Sequence, residues 1–75
     1  MSITVYTKPD CVQCNATKRK LDKQGLDYTT VDVIEDPAAA DNLKALGFAS
    51  VPVVIADDVD PWAGYRPDKV KALAK

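Results

Sequence analysis

The chain has no histidine and only two cysteines in its 75 residues. A closed structural zinc site normally takes four ligands, most of them cysteine or histidine. Carboxylates or a second subunit would have to complete such a set here, so a metal-bridged dimeric binding module is the weaker reading of the cysteine pair. An excess of charge of one sign is also missing. Ten Lys and Arg face eleven Asp and Glu, for a formal net charge of -1. The one dense basic run is Lys18-Arg19-Lys20. It reads as a solvated helix face, or as a patch that steers an acidic partner. A nucleic-acid footprint needs a broader basic surface and a recognisable reading element, so no nucleic-acid partner is expected. No apolar run approaches the roughly 20 residues that cross a bilayer. The N-terminus shows no basic start, apolar run and small-residue cleavage site, which makes cytoplasmic residence the expectation. Low-complexity tracts, repeats and linkers are absent too. One domain over residues 1–75 is expected.

The chain is organised around Tyr6-Thr7-Lys8-Pro9-Asp10-Cys11-Val12-Gln13-Cys14. Two cysteines separated by two residues close only a tiny loop, so a large stabilising role is not expected of a bridge between them. In a reducing compartment persistent structural disulfides are uncommon. The pair reads first as a redox dithiol at a strand-to-helix junction.

Ile3 to Thr7 is short and β-rich, with Ile3 and Val5 on one face and Thr4 and Tyr6 on the other. Pro9 ends the extended run. Val12 to Lys23 has helix-compatible residues, and Cys14 and Leu21 lie two turns apart on one face. Gln24-Gly25 supplies a stop. Leu26 to Val33 reads as a second strand, giving a βαβ unit if the two strands are parallel. Asp36 caps a second helix that Pro37 opens, with Ala39, Ala40, Leu43 and Leu46 as its packing stripe and Gly47 as its end. Val51 to Ile55 is a third strand with Pro52 at its entry. Asp57-Asp58 is a hairpin turn, and Val59 to Ala63 forms a short edge strand at best, because of Pro61. Gly64-Tyr65-Arg66 turns the chain. Pro67 opens a last helix whose apolar side is Val70, Leu73 and Ala74. Asp68 sits at its positive end, with Lys71 and Lys75 towards the other. The expected order is βαβαββα, an α/β fold.

Cys11 falls at, or just before, the first turn of the first helix. Free N–H groups and the positive helix end there favour a thiolate. Lys8 adds positive potential, whereas Asp10 opposes a second negative charge beside it. Cys14 belongs inside the helix and is the less accessible sulfur, which suits it to resolving a mixed disulfide begun at Cys11. Pro52 could bring the Val51-Pro52 backbone beside the dithiol, where Val51 could pair with an extended substrate segment. The plainer reading is a trans proline that marks a strand boundary. Trp62, Gly64 and Tyr65 form an aromatic-rich turn, read either as a partner contact or as a cover on the core. Gly64 permits close backbone approach, or merely an ordinary turn. Arg66 pairs with a nearby acid or faces water. Phe48 reads as a core or gatekeeping residue.

These segments resemble the glutaredoxin-like branch of the thioredoxin superfamily, and within it the NrdH-type redoxins. The resemblance rests on Val5-Tyr6-Thr7-Lys8-Pro9, Cys11-Val12-Gln13-Cys14-Asn15-Ala16-Thr17-Lys18, Val51-Pro52, and Trp62-Ala63-Gly64-Tyr65-Arg66-Pro67-Asp68. It implies a compact thioredoxin/glutaredoxin-like fold with a four-stranded mixed sheet, three helices on its two faces, and a cis proline at Pro52. It implies an exposed nucleophile at Cys11, a resolving thiol at Cys14 and a reversible disulfide between them, with no bound cofactor. NrdH-type proteins look like glutaredoxins in sequence and behave like thioredoxins. The implied partners are therefore thioredoxin reductase, supplied by NADPH, and class Ib ribonucleotide reductase, met by a monomer. The implied contact residues are Lys8, Val12, Gln13, Val51, Pro52, Trp62, Gly64, Tyr65 and Arg66. The chain has neither the Trp-Cys-Gly-Pro-Cys sequence of thioredoxin nor the Cys-Pro-Tyr-Cys motif of glutaredoxins. Its Trp62–Asp68 segment also differs from the Gly-Gly-containing glutathione-binding segment. A glutathione-dependent glutaredoxin is accordingly the alternative.

Overall fold

Alternation along the first strand sets the architecture. The structure is a computed structural model and describes residues 2–57 and 59–73. Strand β1, Ile3–Thr7, buries every second residue: Ile3, Val5 and Thr7. Its neighbours follow the same phase. Strand β2, Thr29–Asp32, pairs parallel to β1, and strand β3, Val53–Ala56, pairs antiparallel on its other side. Residues opposite one another in an antiparallel pair share a face. Val5 opposite Val54 and Ile3 opposite Ala56 therefore point the same way. Strand β4, Trp62–Ala63, adds Trp62 opposite Val54 on that same face. The sheet order is β2-β1-β3-β4, mixed in direction as expected.

Two helices cover this face. Helix α1, Val12–Lys23, buries Cys14, Thr17 and Leu21, whose spacing places them on one stripe. Helix α3, Pro67–Leu73, buries Val70 and Leu73. Leu21, Val70 and Leu73 join Ile3, Val5, Val54, Ala56 and Trp62 in one apolar cluster, with Leu26 and Tyr28 packed against it. Burial of this kind contributes on the order of 1.5–3 kcal/mol for each large side chain. The side chain of Gln24, just beyond α1, donates from Nε2 to the Val70 carbonyl at 2.9 Å and ties the two helices together. Helix α2, Pro37–Ala45, has the expected start: Asp36 is its cap and accepts from Ala39 N–H at 3.3 Å, with Pro37 in the first turn. Its buried Ala39 and Leu43 lie outside the cluster.

Several sequence boundaries shift, each for a local reason. The second strand begins at Thr29 rather than Leu26, because Leu26 closes the end of α1: its N–H donates to Leu21 O at 3.1 Å. Pairing reaches Val33 only through one further bond, from Val33 N–H to Thr7 O at 2.9 Å. The third strand starts at Val53, after Pro52 rather than before it. The fourth keeps only Trp62 and Ala63 of the expected Val59–Ala63. Leu46 does not belong to the α2 stripe. It is the C-cap residue and 56% exposed, having left the helical turn that aims Leu43 inward. At the turn after β3, Asp57 and Ser2 hold each other, by Asp57 N–H to Ser2 O at 3.2 Å and Ser2 N–H to Asp57 Oδ2 at 2.9 Å. Asp58, Ala74 and Lys75, named above for a turn and for the last helix, lie outside the described residues.

Candidate redox site

The path from β1 into α1 is bent by Asp10, the non-glycine residue recorded at positive φ, 58°. Aspartate tolerates this left-handed region better than most residues, because its short polar side chain can bond locally. The bend delivers Cys11 in an extended conformation, φ -102° and ψ 105°, as the N-cap of α1. Its Sγ occupies the place of a capping oxygen and accepts the Cys14 N–H at 3.1 Å. A helix N-terminus leaves its first N–H groups without intrahelical acceptors, and a sulfur there meets partial positive charge. No acidic residue lies within the first turn of α1 to offset it. The two sulfurs are joined as a disulfide, with Cα atoms 5.2 Å apart.

Burial separates the pair less than expected. Cys14 is fully buried, while Cys11 is 7% exposed. Cys11 is thus the more accessible cysteine without being the freely exposed one the resemblance implies, and its sulfur is engaged by both the disulfide and the capping bond. Between them Val12 stands 80% exposed, and Gln13 is exposed too. Thr17, buried one turn below Cys14, satisfies its hydroxyl by donating to Gln13 O at 2.9 Å. Among the described residues no group of three Cys, Asp or Glu side chains is placed to hold a metal ion. Both cysteine sulfurs are committed to each other in this state.

The sheet register brings the proline segment to this site. Tyr6 pairs with Val53, so the antiparallel strands carry Pro52 and Val51 past the end of β1, towards Lys8. Lys8 and Val51 line one groove of about 200 Å³ together with Leu43, Lys44 and Phe48. Phe48, half-buried, is therefore a wall of this groove rather than a core residue. The α2 residues of the groove carry no site signal in the sequence, where Ala40 and Leu43 read only as a packing stripe and Lys44 as an ordinary helix residue. The Val51–Pro52 bond is cis, as the resemblance implies and contrary to the plainer trans reading.

The aromatic turn divides. Trp62 is 5% exposed and belongs to the core cluster, so it is not a surface contact. Its Nε1–H has no acceptor among the described residues. Gly64 donates its N–H to Pro52 O at 2.8 Å, which joins the turn to the proline segment. A Cβ at Gly64 would meet Gln13 Oε1 at an ordinary 3.8 Å, so close approach does not explain the glycine. Its φ of 85° does. Tyr65 is exposed. Arg66 faces water while pairing with Asp68, Nη2 to Oδ2 at 3.3 Å. The Arg66 hydrogen bonds hold the Asp68 carboxyl below its usual range. Dithiol, proline segment and Gly64 thus lie together, with Tyr65 beside them and Trp62 beneath.

Residues 3–60 match the glutaredoxin family model. The glutaredoxin-like protein NrdH of Escherichia coli (strain K12) is 49% identical over 73 residues, which span 97% of this chain and 89% of that protein. This is an NrdH-type redoxin of the glutaredoxin family. A Lactococcus lactis subsp. cremoris protein of the same description is 31% identical, over 96% of this chain and 99% of its own length. The solved NrdH-redoxin from Escherichia coli, described as glutaredoxin-like with a thioredoxin-like activity profile, superposes with a TM-score of 0.93 at 49% identity, covering 97% of this chain and 95% of that one. A glutaredoxin from Archaeoglobus fulgidus superposes at 0.81 with 26% identity, over 95% and 83%. The redoxin is a thiol–disulfide oxidoreductase of the thioredoxin fold, with the Cys11–Cys14 disulfide as its redox centre. No helix among the described residues is long and apolar enough to cross a membrane.

Proposed function

We propose that the redoxin carries electrons from thioredoxin reductase to class Ib ribonucleotide reductase, acting as a monomeric cytoplasmic domain over residues 1–75. The observation that carries the chemistry is the placement of Cys11 Sγ as the cap of α1, 3.1 Å from Cys14 N–H, with Cys14 fully buried behind it. The choice of partners rests on the NrdH kinship, and on the thioredoxin-like activity profile described for the Escherichia coli protein.

In the reduced protein the Cys11 thiolate attacks one sulfur of the substrate disulfide. A Cys11–substrate disulfide forms, and the other substrate sulfur leaves as a thiolate that takes up a proton. Cys14 loses its proton and attacks Cys11 Sγ. The intramolecular disulfide forms, and the second substrate sulfur leaves and is protonated. Two electrons and two protons have then passed to the substrate. A dithiol of thioredoxin reductase reverses the sequence on Cys11–Cys14, drawing ultimately on NADPH, and the redoxin itself binds no cofactor. Val51, which lines the groove with Lys8, offers backbone for pairing with the substrate segment. Val12, Gln13 and Tyr65 supply exposed contact surface around it.

Purified components test this directly. With a ribonucleotide substrate as the final acceptor, continuous NADPH oxidation is expected with thioredoxin reductase, the redoxin and class Ib ribonucleotide reductase together, and is expected to stop when the redoxin is omitted. Turnover only with glutathione and glutathione reductase would replace the proposed donor. The Cys14→Ser variant is expected to accumulate a mixed disulfide at Cys11, and trapping at Cys14 in Cys11→Ser alone would reverse the two roles.

A further inference from the structure

One charged surface beside the site has no part in the exchange chemistry. Ala16, Arg19, Lys20 and Lys23 of α1 recur at helical spacings of three and four, which places them on one stripe. With Tyr65 from the turn after β4 they line an open groove of about 350 Å³. No acidic side chain lines it. None of its three cations is in an ion pair among the described residues, where the recorded pair is Arg66–Asp68. The chain as a whole is nearly balanced, ten basic residues against eleven acidic, so three cations without an acidic neighbour in one groove are a local concentration of positive charge. Lys20 and Lys23, in the last turn, also suit the negative end of the helix. That role accounts for neither Arg19 nor the tyrosine brought in from another element.

The groove also opens off the redox face. Gln13 lies one turn before Ala16, and its Oε1 is 3.8 Å from the Cβ position of Gly64, the neighbour of Tyr65. Gly64 is in turn bonded to Pro52. A polypeptide whose disulfide reaches Cys11 can therefore continue along α1 without leaving the surface. Lys18, part of the basic run in sequence, does not line the groove, and Lys23 from the next turn does.

We propose that this groove docks an acidic segment flanking the disulfide of the protein substrate. The inference rests on the protein-disulfide reductase reading above and adds a specificity determinant to it. Three cations in a chain of negative net charge offer few phosphate contacts, whereas sequence-tolerant nucleic-acid binding draws on many. A carboxylate-bearing segment with an apolar or aromatic residue for Tyr65 fits better.

Synthetic peptides with one intramolecular disulfide test the idea. Each carries a short flanking run of glutamates or, as reference, of glutamines, placed on either side of the disulfide. Pre-reduced redoxin is mixed with each, and exchange is followed by acid quench and mass. At low salt one glutamate peptide is expected to react about tenfold faster than its glutamine reference, because attraction raises the encounter rate. The ratio is expected to shrink towards one as salt screens the charges. The combined Arg19→Gln, Lys20→Gln, Lys23→Gln variant is expected to lose the ratio, and the combined Arg19→Lys, Lys20→Arg, Lys23→Arg variant to keep it. The glutamine variant is expected to keep the unaltered redoxin's rate on the glutamine reference peptide, which separates loss of docking from loss of folding. Equal rates for all peptides, or a ratio that survives the glutamine variant, overturn the proposal. So does a uridine oligonucleotide that binds through these three residues more tightly than the glutamate peptides. Failure to reduce any peptide overturns the reductase reading, and this inference with it.

Discussion

At the scale of single residues, the site is tuned by what stands beside Cys11. Asp10 has two opposed effects: its backbone bend aims Cys11 at the cap position, and its carboxylate disfavours negative charge on the adjacent sulfur. Asp10→Asn separates them, since asparagine also tolerates the left-handed region. The variant is expected to keep the fold and to raise the rate of Cys11 alkylation at neutral pH about two- to fivefold, the range for removal of one exposed charge. An unchanged or lower rate would remove the carboxylate from the account. Tyr28 supplies the pH dependence. Partial burial, with the Asp22 carboxylate nearby, raises its ionisation above 10.0. A group whose folded value is raised contributes stability that is complete below its unfolded value and is lost as pH climbs through the folded one. Stability to urea is therefore expected to decline above pH 10, and to decline less steeply in Tyr28→Phe.

At the scale of elements, α1 joins chemistry to core. One stripe of the helix holds Cys14, Thr17 and Leu21, so the sulfur's position depends on the leucine's packing. Leu21→Ala removes the apolar contact between α1 and the cluster formed with β1, β3 and α3. A loss of about 2–5 kcal/mol is expected. At roughly 4–8 °C per kcal/mol for a domain of this size, the melting temperature should fall by about 8–40 °C. A fall of only a few degrees would show that neighbouring side chains collapse into the space. Much of this level was legible in the sequence. The dithiol, the Asp36 cap, Pro37 and the alternation in β1 are local signals, and the structure keeps all of them. What was not legible depends on partners distant in sequence. Leu26 looked like strand but ends a helix, Trp62 could be read as contact or core cover and its burial decides for the core, and Lys44 shares a groove with Lys8 only because the chain folds α2 back to that end of the sheet. Leu46 followed the helical period on paper, one residue beyond where the helix stops.

At the scale of the whole molecule, the proposed functional surface lies at the end of β1 and the start of α1. Its contributors come from four separate stretches: Lys8 to Cys14, the α2 groove, Val51-Pro52, and Gly64 to Arg66. Two of these are physically one, because Gly64 N–H bonds Pro52 O at 2.8 Å. Gly64→Ala opposes a left-handed backbone at about 1–2 kcal/mol and should disturb that bond. Val51→Ala acts at the other end of the link. A double-mutant cycle on kcat/KM with the protein substrate is expected to show a coupling of about 0.5–3 kcal/mol, where independent loops would give nearly additive effects.

That bond also bears on how such a protein could be re-engineered. Transplanting the Trp62–Asp68 turn from a redoxin of different specificity would leave the Val51–Pro52 loop tethered to a foreign backbone. Moving the proline loop alone would do the reverse. Any specificity carried by these loops is expected to transfer as a two-loop cassette with its own connecting hydrogen bond, and single-loop chimaeras should inherit the behaviour of neither parent.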